Sequence, residues 1–380
     1  MKFFSRHNAR GEKTENRAEK FFVRALVSIA ALPFLLSACA FGGVSYAPNS
    51  VKTFTAFNNS NVTVQTRGCV LSAGAANKIS ALLDGLNAEF SATAETSTTY
   101  RINSAAASDT VDISPRFAYV AGACAEMHAF TRGKFDPSVY PLTLLWKFAP
   151  DFPAADFAVP NAESISQTLA TVGYGKFSFA NGQAVKTADN AKLDFGGALK
   201  GYAADEIGKI MKADGATGGY VNVGGSSLYL VSVDALSVVH PRADGNILTV
   251  KITEKDLSVS TSGDYEKSYS AGGKTYSHII DPQTGCPQTT GVASVTLIGK
   301  NGLKLDALST ALCLCAHDFA APENGELYAF IREILSCEEF SDLRIYAVCV
   351  SETEKQILTN EKQGENFTLL DEYEIISVSD

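Results

Sequence analysis

The stretch Leu305–Cys315, LDALSTALCLC, is apolar and rich in Ala and Leu. A helix built from it has to be enclosed by other elements, so the chain needs a body with a substantial core. Asp306 and Thr310 are four residues apart and share one face of that helix. Burying an unpaired carboxylate is costly, so Asp306 needs a donor or a cation, and a hard cation such as Mg²⁺ suits oxygen ligands of this kind. The alternative is an acid solvated at a helix end.

The rest of the chain supplies both kinds of element. Ala75–Phe90 sets Ile79, Leu82, Leu83, Leu86 and Phe90 at helical spacing, and Ser114–Phe130 opens as a helix with Ser-Pro. Pro160–Val172 and Gly201–Asp214 read as further helices, and Thr98–Asn103 as irregular. Strand character marks Asn61–Gln65, Tyr220–Gly225, Leu228–Val239, Ile247–Ile252, Ser258–Ser260, Lys274–Ile280, Ala293–Leu297 and Arg344–Val350. FDPSVYPLTLLWKF, from Phe135 to Phe148, reads as a structured loop entering the core. Strands and helices mix without a βαβ rhythm, and no repeat appears, so the predicted fold class is α+β in one continuous domain. With 380 residues and 46% apolar content, the chain can bury the core this requires.

The N-terminus has a different character. Seven basic residues from Lys2 to Arg24 precede an apolar run, Ala25–Ala38, of about 14 residues, shorter than the roughly 20 that span a membrane. The run ends in Leu36-Ser37-Ala38-Cys39, a layout resembling a lipoprotein signal peptide whose cysteine is acylated. The expected organisation is a signal peptide over 1–38, a tether over 39–50 with the lipid on Cys39, and a folded domain over 51–380. Without the leader, 25 basic residues face 38 acidic ones, a net charge of −13 that repels nucleic acid. The seven remaining cysteines include no C-x-x-C pair and read mostly as buried thiols.

Two further segments could carry chemistry. Leu193–Tyr202, LDFGGALKGY, joins an acid, paired glycines and Lys200 at a helix start, a setting that favours phosphate or simply makes a tight turn. In YSHIIDP, His278 lies at a strand end, where it either moves a proton or is a hydrogen-bonded core residue. The polar turn Ser262-Gly263-Asp264-Tyr265 carries the same two readings.

Taken in order, FDPSVYPLTLLWKF, LDFGGALKGYAAD, VNVGG, STSGDY, YSHIIDPQTG and DALSTA resemble the FAD:protein FMN transferase (ApbE-type) family, over roughly Phe54 to Ala316. The resemblance implies an α+β body with FAD in a cleft beside a Mg²⁺ site. Asp306 and Thr310 would bind the metal by side chain and Gly197 by its carbonyl. Phe135, Asp136, Asp194, Lys200 and Ile280 would line the FAD site, and His278 and Asp264 would have supporting or proton-transfer roles. The implied reaction moves FMN from FAD to a Thr or Ser hydroxyl of an acceptor and releases AMP. The acceptor would be a flavin-carrying subunit of an extracytoplasmic electron-transport protein, and the enzyme would sit lipid-anchored on the outer face of the cell membrane.

The sequence departs from the family pattern at Ser91–Ser97, which lacks the usual tyrosine, at Tyr140 in place of glycine, at Ser226 in place of an acid, and at Phe57 in place of methionine. The lost tyrosine leaves open an FAD pyrophosphatase giving FMN and AMP; a separate alternative is a non-catalytic FAD-binding lipoprotein, which would have no need of Asp306 and Thr310.

Overall fold

The computed structural model describes residues 49–57, 59–149, 152 and 157–378. The expected signal peptide and the acylated Cys39 lie outside the described residues.

The chain opens with the antiparallel pair β1 (Ser50–Ala56) and β2 (Ser60–Arg67). Helices α1 (Ala73–Phe90) and α2 (Thr98–Ser104), strand β3 (Thr110–Asp112) and helices α3 (Pro115–Phe130), α4 (Tyr140–Leu145) and α5 (Ala162–Leu169) follow. Strands β4 (Phe177–Ala180) and β5 (Gln183–Lys186) precede α6 (Gly196–Ala213), which leads into β6 (Gly218–Val223), β7 (Ser227–Ser232), β8 (Ala235–Val239) and β9 (Asn246–Lys251). Next come β10 (Leu257–Gly263), β11 (Ser268–Ala271), β12 (Lys274–Ser277), β13 (Val292–Gly299), α7 (Gly302–Cys313) and α8 (Glu326–Leu335). The chain closes with β14 (Arg344–Val350), β15 (Lys355–Thr359), β16 (Phe367–Leu369) and β17 (Glu374–Ser377).

Local chemistry sets several of these boundaries. Ser72, Ser97, Ser114 and Asn161 each accept a backbone N–H three residues on, capping α1, α2, α3 and α5. The Ser97 cap explains why Thr98–Ser104 is helical where an irregular segment was expected. Helix α6 begins at Gly196, five residues earlier than expected, so the paired glycines form its first turn. Ser50, expected to end the tether, already belongs to β1.

Nine strands form one sheet in the order β1-β2-β6-β7-β10-β13-β14-β15-β17, antiparallel throughout except for the parallel pair β15 and β17. Alternation along the strands gives the sheet two buried faces. Leu228 and Leu230 of β7, Val259 of β10 and Val348 of β14 pack beneath the small sheet β16-β9-β8. On the opposite face, Tyr229 and Val231 join Ile207 and Met211 of α6, while Val295 and Leu297 join Leu305, Leu308 and Leu312 of α7. Covered on both sides, β13 is buried at every position, and α7 is enclosed as its composition requires.

Candidate active site

The site lies along the seam between α7 and β10. The pleat turns Ser258, Ser260 and Ser262 toward the helices and Val259 toward the small sheet. Ser258 Oγ donates to Asp205 Oδ1 at 2.7 Å, and Ser260 Oγ to Asp306 Oδ1 at 2.6 Å. Ser262 Oγ lies 2.8 Å from Ser309 Oγ and 3.2 Å from Thr310 Oγ1. Asp306 is only 5% exposed, so the reading of a solvated helix end is excluded.

Three donors meet this carboxylate. Ser227 Oγ joins Ser260 on Oδ1 at 2.8 Å, and the Gly201 N–H donates to Oδ2 at 2.6 Å. The last bond requires α6 and α7 to touch: a Cβ on Gly201 would fall 2.0 Å from Gly302 O. Burial pushes the Asp306 carboxyl up, and Lys200 with the three donors only partly offsets it. A carboxylate offers about four lone-pair sites, so one remains beyond these three bonds.

A cleft of about 380 Å³ opens over the seam. Phe135, Asp136, Asp194, Gly197, Lys200, His278, Ile280, Asp306 and Thr310 all line it. A Cβ placed on Gly197 would stand 3.3 Å from the Phe135 ring and 3.9 Å from Thr310 Oγ1, so α3–α4 loop, α6 and α7 converge there. An adjoining recess of about 240 Å³ shares Asp194, Gly196 and Lys200. Phe57, Ser91, Ala92, Thr93 and Tyr140, which include positions departing from the family pattern, line this second space.

Lys200, in the second turn of α6, donates to Ser226 Oγ, and its charge acts on Asp306, Glu266 and His278 together. Burial, with Lys200 adding to it, lowers His278 to about 4, so its ring is neutral at pH 7. His278 Nδ1 faces the Lys267 carbonyl at 3.2 Å. With the proton on Nδ1, Nε2 is left as an acceptor. Burial raises the Asp194 carboxyl, and the Gly196 N–H donates to its Oδ1 at 2.9 Å.

Of the expected residues, Asp264 lies outside the cleft lining, and Asp136 lines it with its carboxylate engaged. The Asp264 carboxylate is held by both terminal nitrogens of Arg242 at 2.7 Å. Both carboxylate oxygens of Asp264, expected to have a supporting or proton-transfer role, are thus engaged by Arg242. Asp136 borders the cleft, but its carboxylate accepts from Ser138 N at 2.7 Å, Ser138 Oγ at 2.6 Å and Tyr174 N at 3.3 Å, and so caps the turn that shapes the wall.

Sequence reasoning missed Ser227, Ser260 and Glu266, and it put Ser262 in a polar turn where the structure has it in β10. Ser260 had a signal, the period-2 alternation in LSVSTSG, and Ser227 had none. Glu266 lines the cleft with its carboxyl raised by burial. Among the described residues no group of three or more His, Cys, Asp or Glu forms a metal cluster. The donor set nevertheless fits Mg²⁺, which needs one or two carboxylates and completes its shell with water and substrate phosphate. The seven described cysteines are free, with Cys124, Cys313, Cys315 and Cys349 buried and Cys69, Cys286 and Cys337 partly so.

The chain is similar to known proteins. The profile of the ApbE family matches residues 57–325. An FAD:protein FMN transferase of Vibrio cholerae is 27% identical over 260 residues, spanning 67% of this chain and 77% of that protein. Its counterpart from Klebsiella pneumoniae is 30% identical over 247 residues, spanning 62% and 69%. The crystal structure of Pseudomonas stutzeri flavinyl transferase ApbE in its apo form superposes with a TM-score of 0.68 at 25% identity, covering 82% of this chain and 95% of that one.

Proposed function

The chain belongs to the ApbE family, and on that basis we propose that it is an FAD:protein FMN transferase that moves FMN from FAD to a Thr or Ser hydroxyl of an acceptor protein and releases AMP. The observation that carries the reading is the Asp306 carboxylate, buried at the cleft with one acceptor site left and Lys200 acting on it.

Lys200 and the first turn of α6 bind the pyrophosphate of FAD, since a lysine and the N–H groups of a helix start both favour phosphate charge. Phe135, Asp194 and Ile280 shape the flavin-bearing side of the cleft. The attacking hydroxyl oxygen forms a bond to the FMN-side phosphorus as the bond to the AMP oxygen breaks. His278 Nε2 accepts the hydroxyl proton, with the ring held by its contact to the Lys267 carbonyl. Asp306 and Thr310 by side chain, with the Gly197 carbonyl, would hold Mg²⁺, which when bound neutralises charge on the phosphate oxygens.

The acceptor is proposed to be a flavin-carrying subunit of an extracytoplasmic electron-transport protein, reached from a lipid anchor on Cys39 at the outer face of the cell membrane. Among the described residues no helix is long and apolar enough to cross a membrane, and the short apolar run before Cys39 supports an acyl anchor instead. The test is to incubate the soluble domain with FAD, Mg²⁺ and a candidate acceptor domain and weigh the acceptor. A gain of one FMN with AMP formed supports transfer. Free FMN plus AMP in place of a modified acceptor makes the protein a pyrophosphatase, and FAD bound but unchanged makes it a carrier.

A further inference from the structure

Asp264, which is not among the residues lining the cleft, is held by a residue that no motif marks. Arg242, in the loop between β8 and β9, sends Nη1 to Asp264 Oδ1 and Nη2 to Oδ2, each at 2.7 Å. The arginine is fixed from behind. Its backbone N–H donates to His240 Nδ1 at 2.9 Å, and His240 Nε2 lies 2.8 Å from Asp371 Oδ2 and 3.3 Å from the Tyr373 hydroxyl. The small sheet and the C-terminal segment are thereby tied to the short link between β10 and β11.

That link, Asp264 to Lys267, is what the cleft depends on. Its first residue donates a backbone N–H to Ala293 O at 3.0 Å, Glu266 lines the cleft, and the Lys267 carbonyl faces both His278 N at 2.9 Å and His278 Nδ1 at 3.2 Å. We propose that Arg242 is a positioning residue for the transfer reaction: by clamping Asp264 it sets the 264–267 link, and through the Lys267 carbonyl it fixes the tautomer and direction of His278. This rests on the FMN-transferase reading above. With 39% and 21% of their side chains exposed, the two partners form an ion pair that adds little to stability. Two parallel charge-assisted hydrogen bonds do, however, resist both rotation and sliding, so the pair contributes geometry.

The experiment uses the full chain with FAD and an acceptor protein. Arg242→Ala is expected to lower kcat for FMN transfer by about tenfold or more, the scale of a small misplacement, while KM for FAD changes by less than about twofold. Asp264→Ala should lose as much, the double variant no more than either single, and Arg242→Lys should recover part of the rate. Nitrogen NMR of His278 gives a readout independent of turnover: wild type should show the Nδ1–H tautomer, and Arg242→Ala a mixture of both. Unchanged kcat in Arg242→Ala, losses that multiply in the double variant, or an unchanged His278 signal would each overturn the proposal. A wild type that transfers no FMN would refute the transferase reading, while the NMR comparison still decides the clamp. If Arg242→Ala does not fold, Arg242→Lys and Asp264→Asn carry the same comparison.

Discussion

Replacing Asp306 with Asn separates what the carboxylate does for folding from what it does for chemistry. The Gly201 N–H cannot turn, so the amide oxygen takes the Oδ2 place at 2.6 Å from it. The amide nitrogen then faces Ser227 Oγ and Ser260 Oγ, which rotate to accept where they had donated. All three contacts survive, each weaker by about 1 kcal/mol on passing from charge-assisted to neutral. Against that loss stands the burial penalty of the anion, which is the larger quantity because the carboxyl is raised despite Lys200 and the three donors. Asp306→Asn should therefore be as stable as wild type or more stable when no divalent ion is present.

The pH dependence has a definite sign. A carboxyl whose folded pKa is raised binds its proton more tightly when folded, so its contribution to stability is lost as pH rises through the folded value. The advantage of Asp306→Asn should widen as pH rises and close on acidification. Thermal melts with and without Mg²⁺ complete the test. Wild type should gain about 2.7 kcal/mol at a Mg²⁺ concentration 100 times Kd, the variant far less, and FMN transfer by the variant should fall by about two orders of magnitude or more. A variant that melts lower by more than about 1 kcal/mol in EDTA, or one stabilised by Mg²⁺ like wild type, would refute the reasoning.

Three further outcomes can be checked. Lys186, 1% exposed, donates to Asn103 O at 2.8 Å, Asp189 O at 2.8 Å and Ala191 O at 3.3 Å; Lys186→Met keeps the volume but strands three carbonyls and should cost about 2 to 4 kcal/mol in urea unfolding. Burial raises Asp205 to about 6, so its carboxylate weakens the fold above that pH by at most about 3 kcal/mol. Between pH 4 and 7, wild type should accordingly lose more stability than Asp205→Asn, and parallel curves would count against the shift. Cys39→Ala should release the protein from washed membranes with the domain still active; retention would refute the lipid anchor.

The parts of the site that could be read from the sequence are those encoded over a few neighbouring residues. Asp306 and Thr310 lie one helical turn apart, Gly197 and Lys200 share the start of α6, and His278 sits at a short strand end, so period and composition mark them as candidates and the family resemblance groups them. Much of the fold was legible for the same reason, since α1, α3 and α7 show apolar periodicity or composition that only burial explains. The parts that were missed depend on which strand comes to lie beside which helix. Ser227 and Ser260 are polar residues on buried strands until β7 and β10 are laid against α7, and only then do they become donors to Asp306. Asp264 sits beside a glycine like a site acid, yet Arg242, on a different loop, decides where it points.

The same contrast explains why hydroxyl groups hold this carboxylate. A lysine or arginine in the seam would neutralise Asp306 permanently and compete with a divalent ion for its oxygens. Ser227, Ser260 and the Gly201 N–H lower the cost of burial without cancelling the charge, and leave the carboxyl raised. Lys200 is engaged instead with Ser226, where its ammonium still acts on Asp306 from within the cleft. The seam thus keeps an anion that is only partly compensated beside a cation able to meet phosphate, an arrangement that gains most when a metal ion and a pyrophosphate arrive together.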